Sequence, residues 1–152
     1  MSNSEFSYAD MIDAIREILD SGGEVKIMPR GTSMLPLIVQ GRDSVVLIKP
    51  DRIKKHDIVF YRRDNGQFVL HRIMKKCSDG RFVLLGDSQT ERERGIREDQ
   101  IIARVRRIER KGKSFEVGAF RYRLYVFLWT KMPVRRVLSC IGRKVAFLRK
   151  KV

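Results

Sequence analysis

Histidine, cysteine and tryptophan are scarce: the 152 residues hold two, two and one of them. The two cysteines, Cys77 and Cys140, cannot frame a disulfide-held domain, nor can two thiols alone close a four-ligand zinc site. Both read as reduced thiols, which suits a cytoplasmic setting. No window reaches the roughly 18 apolar residues that a membrane-crossing helix needs. The start, MSNSEFSYADMIDAIREILD, lacks the basic opening and apolar run of a signal peptide or an N-terminal anchor. There is no internal repeat and no low-complexity tract. Acidic residues are also missing from the end of the chain: residues 119–152 hold ten Lys or Arg and no Asp or Glu. Ten of the fifteen net positive charges therefore lie there. Such a segment seeks phosphate, on anionic lipid or on nucleic acid.

With 43% hydrophobic residues the chain can build a core, and its length fits one domain with a small appendage. Ser7 and Asp10 read as a capping pair. Met11, Ile12, Ile15, Ile18 and Leu19 follow at helical spacing, and Gly22-Gly23 ends the run. The expectation is a helix over 8–20. From Glu24 the texture is short strands: 24–28, 44–49, 57–62, 67–75, 81–85, 100–109 and 113–117. Asp64-Asn65-Gly66, Ser78-Asp79-Gly80 and Lys111-Gly112 punctuate them, and the last two read as hairpin turns. The fold class is mainly β, an antiparallel coiled domain with a short N-terminal helix and a basic helical tail. The divisions fall at 1–23, 24–118 and 119–152. Within the tail, 121–132 and 134–149 read as helices split by Pro133. A basic, amphipathic composition with Trp, Tyr and Phe suits a membrane interface.

The hexamer Gly31-Thr32-Ser33-Met34-Leu35-Pro36 is the most pointed stretch. On its residues alone it reads as a turn. It also reads as a nucleophile loop. A serine hydroxyl needs a base within hydrogen-bond reach, and that base benefits from an orienting acid. His71 lies in the strand-like run Phe68–Ile73, and Asp87 follows the next strand. Antiparallel pairing across the Ser78–Gly80 turn would bring those two together. Each has a plain reading as well. His71 could be a strand histidine bonded to a backbone carbonyl, Asp87 a turn residue, Met34 simple core and His56 a solvent-facing turn histidine.

Taken in order, four boxes resemble the signal peptidase I superfamily of serine proteases, which includes self-cleaving repressors. They are G-T-S-M-L-P, K-K-H-D-I-V-F-Y, V-L-H-R-I and L-G-D-S, the last followed by Q-I-I-A-R-V. The likeness spans about residues 24–108. The base box carries His71 where bacterial signal peptidases and the repressors have lysine, so the chain resembles the Ser/His branch. That resemblance implies Ser33 as nucleophile, His71 as general base and Asp87 as its support. It also implies a Ser33 amide in the oxyanion hole, Gly31 and Pro36 shaping the substrate's path, and Met34 in the apolar floor. No metal or cofactor is called for. His56 departs from the usual glycine before Asp57. The second acid of the Gly-Asp box has no clear match, and Glu91 and Glu93 stay unassigned. Ser-Gln-Thr-Glu-Arg-Glu-Arg-Gly (88–95) reads first as a solvated, charge-alternating loop.

Two functions follow. One is an endopeptidase for a peptide or preprotein, cytoplasmic and peripheral on the inner membrane face through 119–152. The other is a non-catalytic β-domain binding lipid or nucleic acid through that tail. Nucleic acid is the weaker of the two partners, because the chain shows no helix-turn-helix and no RNA-binding signature.

Overall fold

The computed structural model describes residues 8–130. Ser7, Pro133, Cys140 and the helix expected over 134–149 lie outside them. Helix α1 (Tyr8–Asp20) opens the chain. Strands follow as β1 (Val25–Ile27), β2 (Asp43–Ile48), β3 (Ile58–Arg62), β4 (Phe68–Lys76), β5 (Phe82–Leu85), β6 (Glu93–Ile96), β7 (Ile101–Arg110) and β8 (Lys113–Glu116). Helix α2 (Phe120–Thr130) closes the described part. The eight strands form one antiparallel sheet in the order β1-β2-β7-β3-β4-β5-β6, with β8 paired to β7. The sheet is not closed into a barrel, and among the described residues the outer sides of β1, β6 and β8 pair with no further strand.

Strand β3 shows why Ile58-Val59-Phe60-Tyr61 is apolar throughout. Alternate side chains of a strand point to opposite faces, and both faces of β3 are covered. Ile58 and Phe60 join a core cluster with Val45, Leu47 and Val105. Val59 and Tyr61 join a second cluster with Ile73, Phe82 and Leu84. Helix α1 sends Ile12, Ile15 and Leu19 into the first cluster, at i, i+3 and i+7. Met11 and Ile18, expected on the same stripe, are exposed. The helix ends where Gly22 takes φ +83° and the Gly23 amide donates back to the Ile18 carbonyl.

All three turn signals close hairpins, Asp64-Asn65-Gly66 included, since Arg62 pairs Phe68 across it. At the tightest, Arg110 pairs Lys113 across Lys111 and Gly112, both with positive φ. The loop expected over 88–95 gives way at its end to strand β6 (Glu93–Ile96), whose Ile96 pairs Phe82 and whose Glu93 pairs Leu84. His56 is half-buried rather than solvent-facing. Its φ is +75°, the region where glycine is the easiest occupant. Cys77 is a free thiol. Among the described residues no helix is long and apolar enough to cross a membrane.

Candidate active site

Ser33 sits in the loop between β1 and β2. Gly31 turns that loop with φ +96°, its amide donating to Gln40 Oε1 at 2.7 Å. Met34 and Ile38 anchor it in the core, so Met34 is buried as expected. Pro36 is exposed, and the Leu35–Pro36 peptide is cis. The far end is tied down by Asp43, fully buried, which accepts from Arg42, Arg110 and the Val39 amide. Although burial alone would raise its pKa, these donors hold the carboxyl far below the usual range. The segment after β5 clasps the loop from the other side. The Ser88 amide donates to the Ser33 carbonyl at 2.9 Å, and Ser88 Oγ donates to the Thr32 carbonyl at 2.7 Å.

His71 is fully buried on β4. Among the described residues its ring bonds no backbone carbonyl. Its Nδ1 lies 3.1 Å from the Tyr61 hydroxyl and 3.2 Å from Glu93 Oε1. Glu93 in turn accepts from Tyr61 at 2.7 Å and from the guanidinium of Arg63. Arg63 and Tyr61 hold the Glu93 carboxyl below its ordinary pKa against the effect of burial, so it is an acceptor only. A carboxylate facing Nδ1 places the ring proton on Nδ1 and leaves a lone pair on Nε2. That Nε2 is buried and has no hydrogen-bond partner among the described residues. Burial lowers the His71 pKa to about 4. The imidazole is therefore neutral near pH 7, with its basic nitrogen unoccupied.

Ser33 and His71 line one cavity of about 370 Å³, with Met34, Phe60 and Leu70 on its apolar side. Arg63, Ser88 and Gln89 continue from it into a polar hollow edged by Glu91 and Arg92. No hydrogen bond joins Ser33 Oγ to Nε2. What joins the two segments is Gly86. A Cβ built there would lie 2.7 Å from the Ser33 carbonyl oxygen and 3.0 Å from His71 Nε2. The missing side chain is what lets the Ser33 loop approach His71.

Asp87 corrects the expectation. It does not orient His71. Its carboxylate takes a fork from Arg72, Nε to Oδ1 at 2.8 Å and Nη2 to Oδ2 at 2.6 Å. The pair is buried on both sides. The reason is strand alternation: His71 pairs Val59 and turns to the second core face, whereas Arg72 pairs Ile58 and turns to the first. Asp87 follows Arg72. The acid at the histidine is Glu93, and Tyr61 and Arg63 were not singled out by the sequence. Three side chains of α2 close over the pair. Arg72 Nη1 donates to Tyr122 Oη at 2.6 Å, Tyr125 donates to Asp87 Oδ2 at 3.2 Å, and Trp129 Nε1 donates to the Asp87 carbonyl at 2.9 Å. No group of three or more metal-ligating side chains occurs among the described residues.

Compared with models of protein families, with curated proteins and with solved structures, the chain matches none.

Proposed function

We propose that the chain is a serine endopeptidase in which Ser33 attacks a peptide carbonyl and His71 takes the hydroxyl proton at Nε2. One observation carries the reading. In the wall of the cavity that Ser33 lines, a buried imidazole holds a basic nitrogen with no partner, while its other nitrogen faces a carboxylate. Catalytic hydrogen bonds are often unformed before substrate binds, so Ser33 Oγ closes on Nε2 in the complex. As the proton arrives, the imidazolium is balanced by Glu93 across Nδ1. The Ser33 amide stabilises the oxyanion. Nε2 then returns the proton to the leaving amine, and water releases the acyl group by the same route. Asp87 holds the Gly86–Ser88 segment through Arg72 and takes no part in the proton transfer. The free edge of β1 leads into the nucleophile loop and offers an extended peptide a strand to pair with. The resemblance to the Ser/His branch of the signal peptidase superfamily agrees with this chemistry.

The test is labelling of the full chain with an acylating serine probe, read by intact mass, beside Ser33→Ala and His71→Ala. A peptide library digested in parallel covers the case of a probe that does not fit the cavity. Labelling or cleavage that both variants abolish supports the peptidase. Neither labelling nor cleavage in the wild type returns the domain to the non-catalytic alternative.

A further inference from the structure

Helix α2 is apolar on two sides, and the β-domain covers one. Tyr122, Tyr125 and Trp129, at i, i+3 and i+7, face Arg72 and Asp87, and Trp129 is 4% exposed. On the other side Phe120, Leu124 and Leu128, at i, i+4 and i+8, are 78%, 48% and 50% exposed. A helix apolar all round is ordinarily buried all round. Arg121 and Arg123 flank the exposed stripe, and residues 131–152 add eight more cations with no acid.

We infer that Phe120, Leu124 and Leu128 form a lipid-docking face that seats α2 in the headgroup layer of an anionic bilayer. Charge decides the occupant. A second copy would set one chain of net charge +15 against another. The chain's own residues 131–152 would crowd further cations beside Arg121 and Arg123 with no carboxylate to pair them. A nucleic-acid backbone would meet the arginines but leave Leu124 and Leu128 in water. An anionic bilayer answers both features, taking the apolar stripe among its upper acyl chains and the cations among its phosphates. The covered face fixes the consequence. Trp129 and Tyr125 bond Asp87, the adjoining Ser88 amide bonds the Ser33 carbonyl, and a Cβ at Gly86 would meet both that carbonyl and His71 Nε2. Docking through α2 therefore holds the Ser33 cavity beside the lipid surface. On the peptidase reading, its substrates are peptides presented at that surface. The docking itself does not rest on that reading.

The experiment is sedimentation of the full chain with phosphatidylglycerol or phosphatidylcholine vesicles at low salt, beside Leu124→Glu/Leu128→Glu. The wild type is expected to sediment with the anionic vesicles, and the double variant to partition at least tenfold less. Trp129 is the chain's one tryptophan. Its emission without vesicles, unchanged in the variant, certifies that the inner face is still docked. If that emission shifts, Phe120→Glu at the helix start replaces the double variant. Wild type left in the supernatant with both vesicles overturns the proposal. So does a variant that binds as well as the wild type, since charge alone would then suffice. A wild-type dimer that the variant dissolves would assign the face to a second copy instead. None of these readouts needs peptidase activity, so this inference and the peptidase reading fail separately.

Discussion

Glu93 Oε1, on strand β6, stands 3.2 Å from Nδ1 of His71 on β4, and Arg63 and Tyr61 hold it there. The same carboxylate sets the imidazole tautomer and, in the proposed mechanism, faces the positive charge that would form when Ser33 gives up its proton. Glu93→Gln keeps the shape, removes the charge and offers Nδ1 an amide that can present either end. Acylation of Ser33 in that variant is expected to slow by about two orders of magnitude or more. Tyr61→Phe keeps the carboxylate and should slow it by about tenfold or less. Acylation rates by intact mass separate the two, and equal rates for wild type and Glu93→Gln would remove Glu93 from the mechanism.

The pH dependence follows from the same burial. His71 titrates at about 4 in the folded chain, against 6.5 for a free imidazole. Burial is the largest cause and Arg63 adds to it, while Glu93 and Asp87 act in the opposite direction. The acylation rate should therefore hold level as pH falls from 7 to 5 and drop with a midpoint of about 4. Stability takes the matching sign. Below pH 6.5 the unfolded chain binds a proton that the folded chain refuses, so stability is lost as pH falls from 6.5 toward 4. The loss is on the order of 3 kcal/mol, from 1.36 kcal/mol per pH unit. The half-buried His56, also depressed by burial, contributes in the same direction. Urea midpoints at pH 7 and 4.5 for wild type and His71→Gln isolate the His71 share, because His56 is common to both.

Gly86 is needed for space rather than for backbone freedom, since its φ is not positive. Gly86→Ala forces a methyl against the Ser33 carbonyl, which already accepts from the Ser88 amide. The expected outcome is a fold that survives with about 1–3 kcal/mol of overpacking cost. Acylation should fall at least tenfold as Ser33 moves from His71. Gly118→Ala is the matched control: a Cβ there meets nothing within 4 Å. Equal acylation by both variants would break the link between Gly86 and the site.

The strands were legible because local chemistry marks them, through apolar runs and turn residues at fixed offsets, whereas Ser33 and His71, which line one cavity, were picked out by the order of their boxes along the chain. Strand β6 was not. Glu93-Arg94-Gly95-Ile96 has poor strand propensity and one apolar side chain, and Gly95 takes φ +78°. Its pairing is decided by β5 and by the Arg63 fork, thirty residues away in sequence. Asp87 failed for a different reason. Chain order placed it near His71 and Arg72 alike, and only the pairing register, with His71 opposite Val59 and Arg72 opposite Ile58, shows which of the two it follows.

That register makes the Arg72–Asp87 pair the sharpest test of roles. Both side chains are almost wholly buried, and Asp87 also accepts from Tyr125. Asp87→Asn leaves a buried guanidinium without its countercharge, a loss of about 3–5 kcal/mol when one partner of such a pair is removed. An orienting acid for His71 would show itself otherwise, by moving the midpoint of the acylation profile along with its height. Because Asp87 bonds Arg72 and α2, Asp87→Asn should lower the urea midpoint and loosen Trp129, whose indole donates to the Asp87 carbonyl. At temperatures where the variant stays folded, the shape of its pH profile should remain close to that of the wild type, whereas Glu93→Gln, with Glu93 the nearer of the two acids, should change it. A profile displaced more by Asp87→Asn than by Glu93→Gln would return Asp87 to the histidine and reverse the assignment.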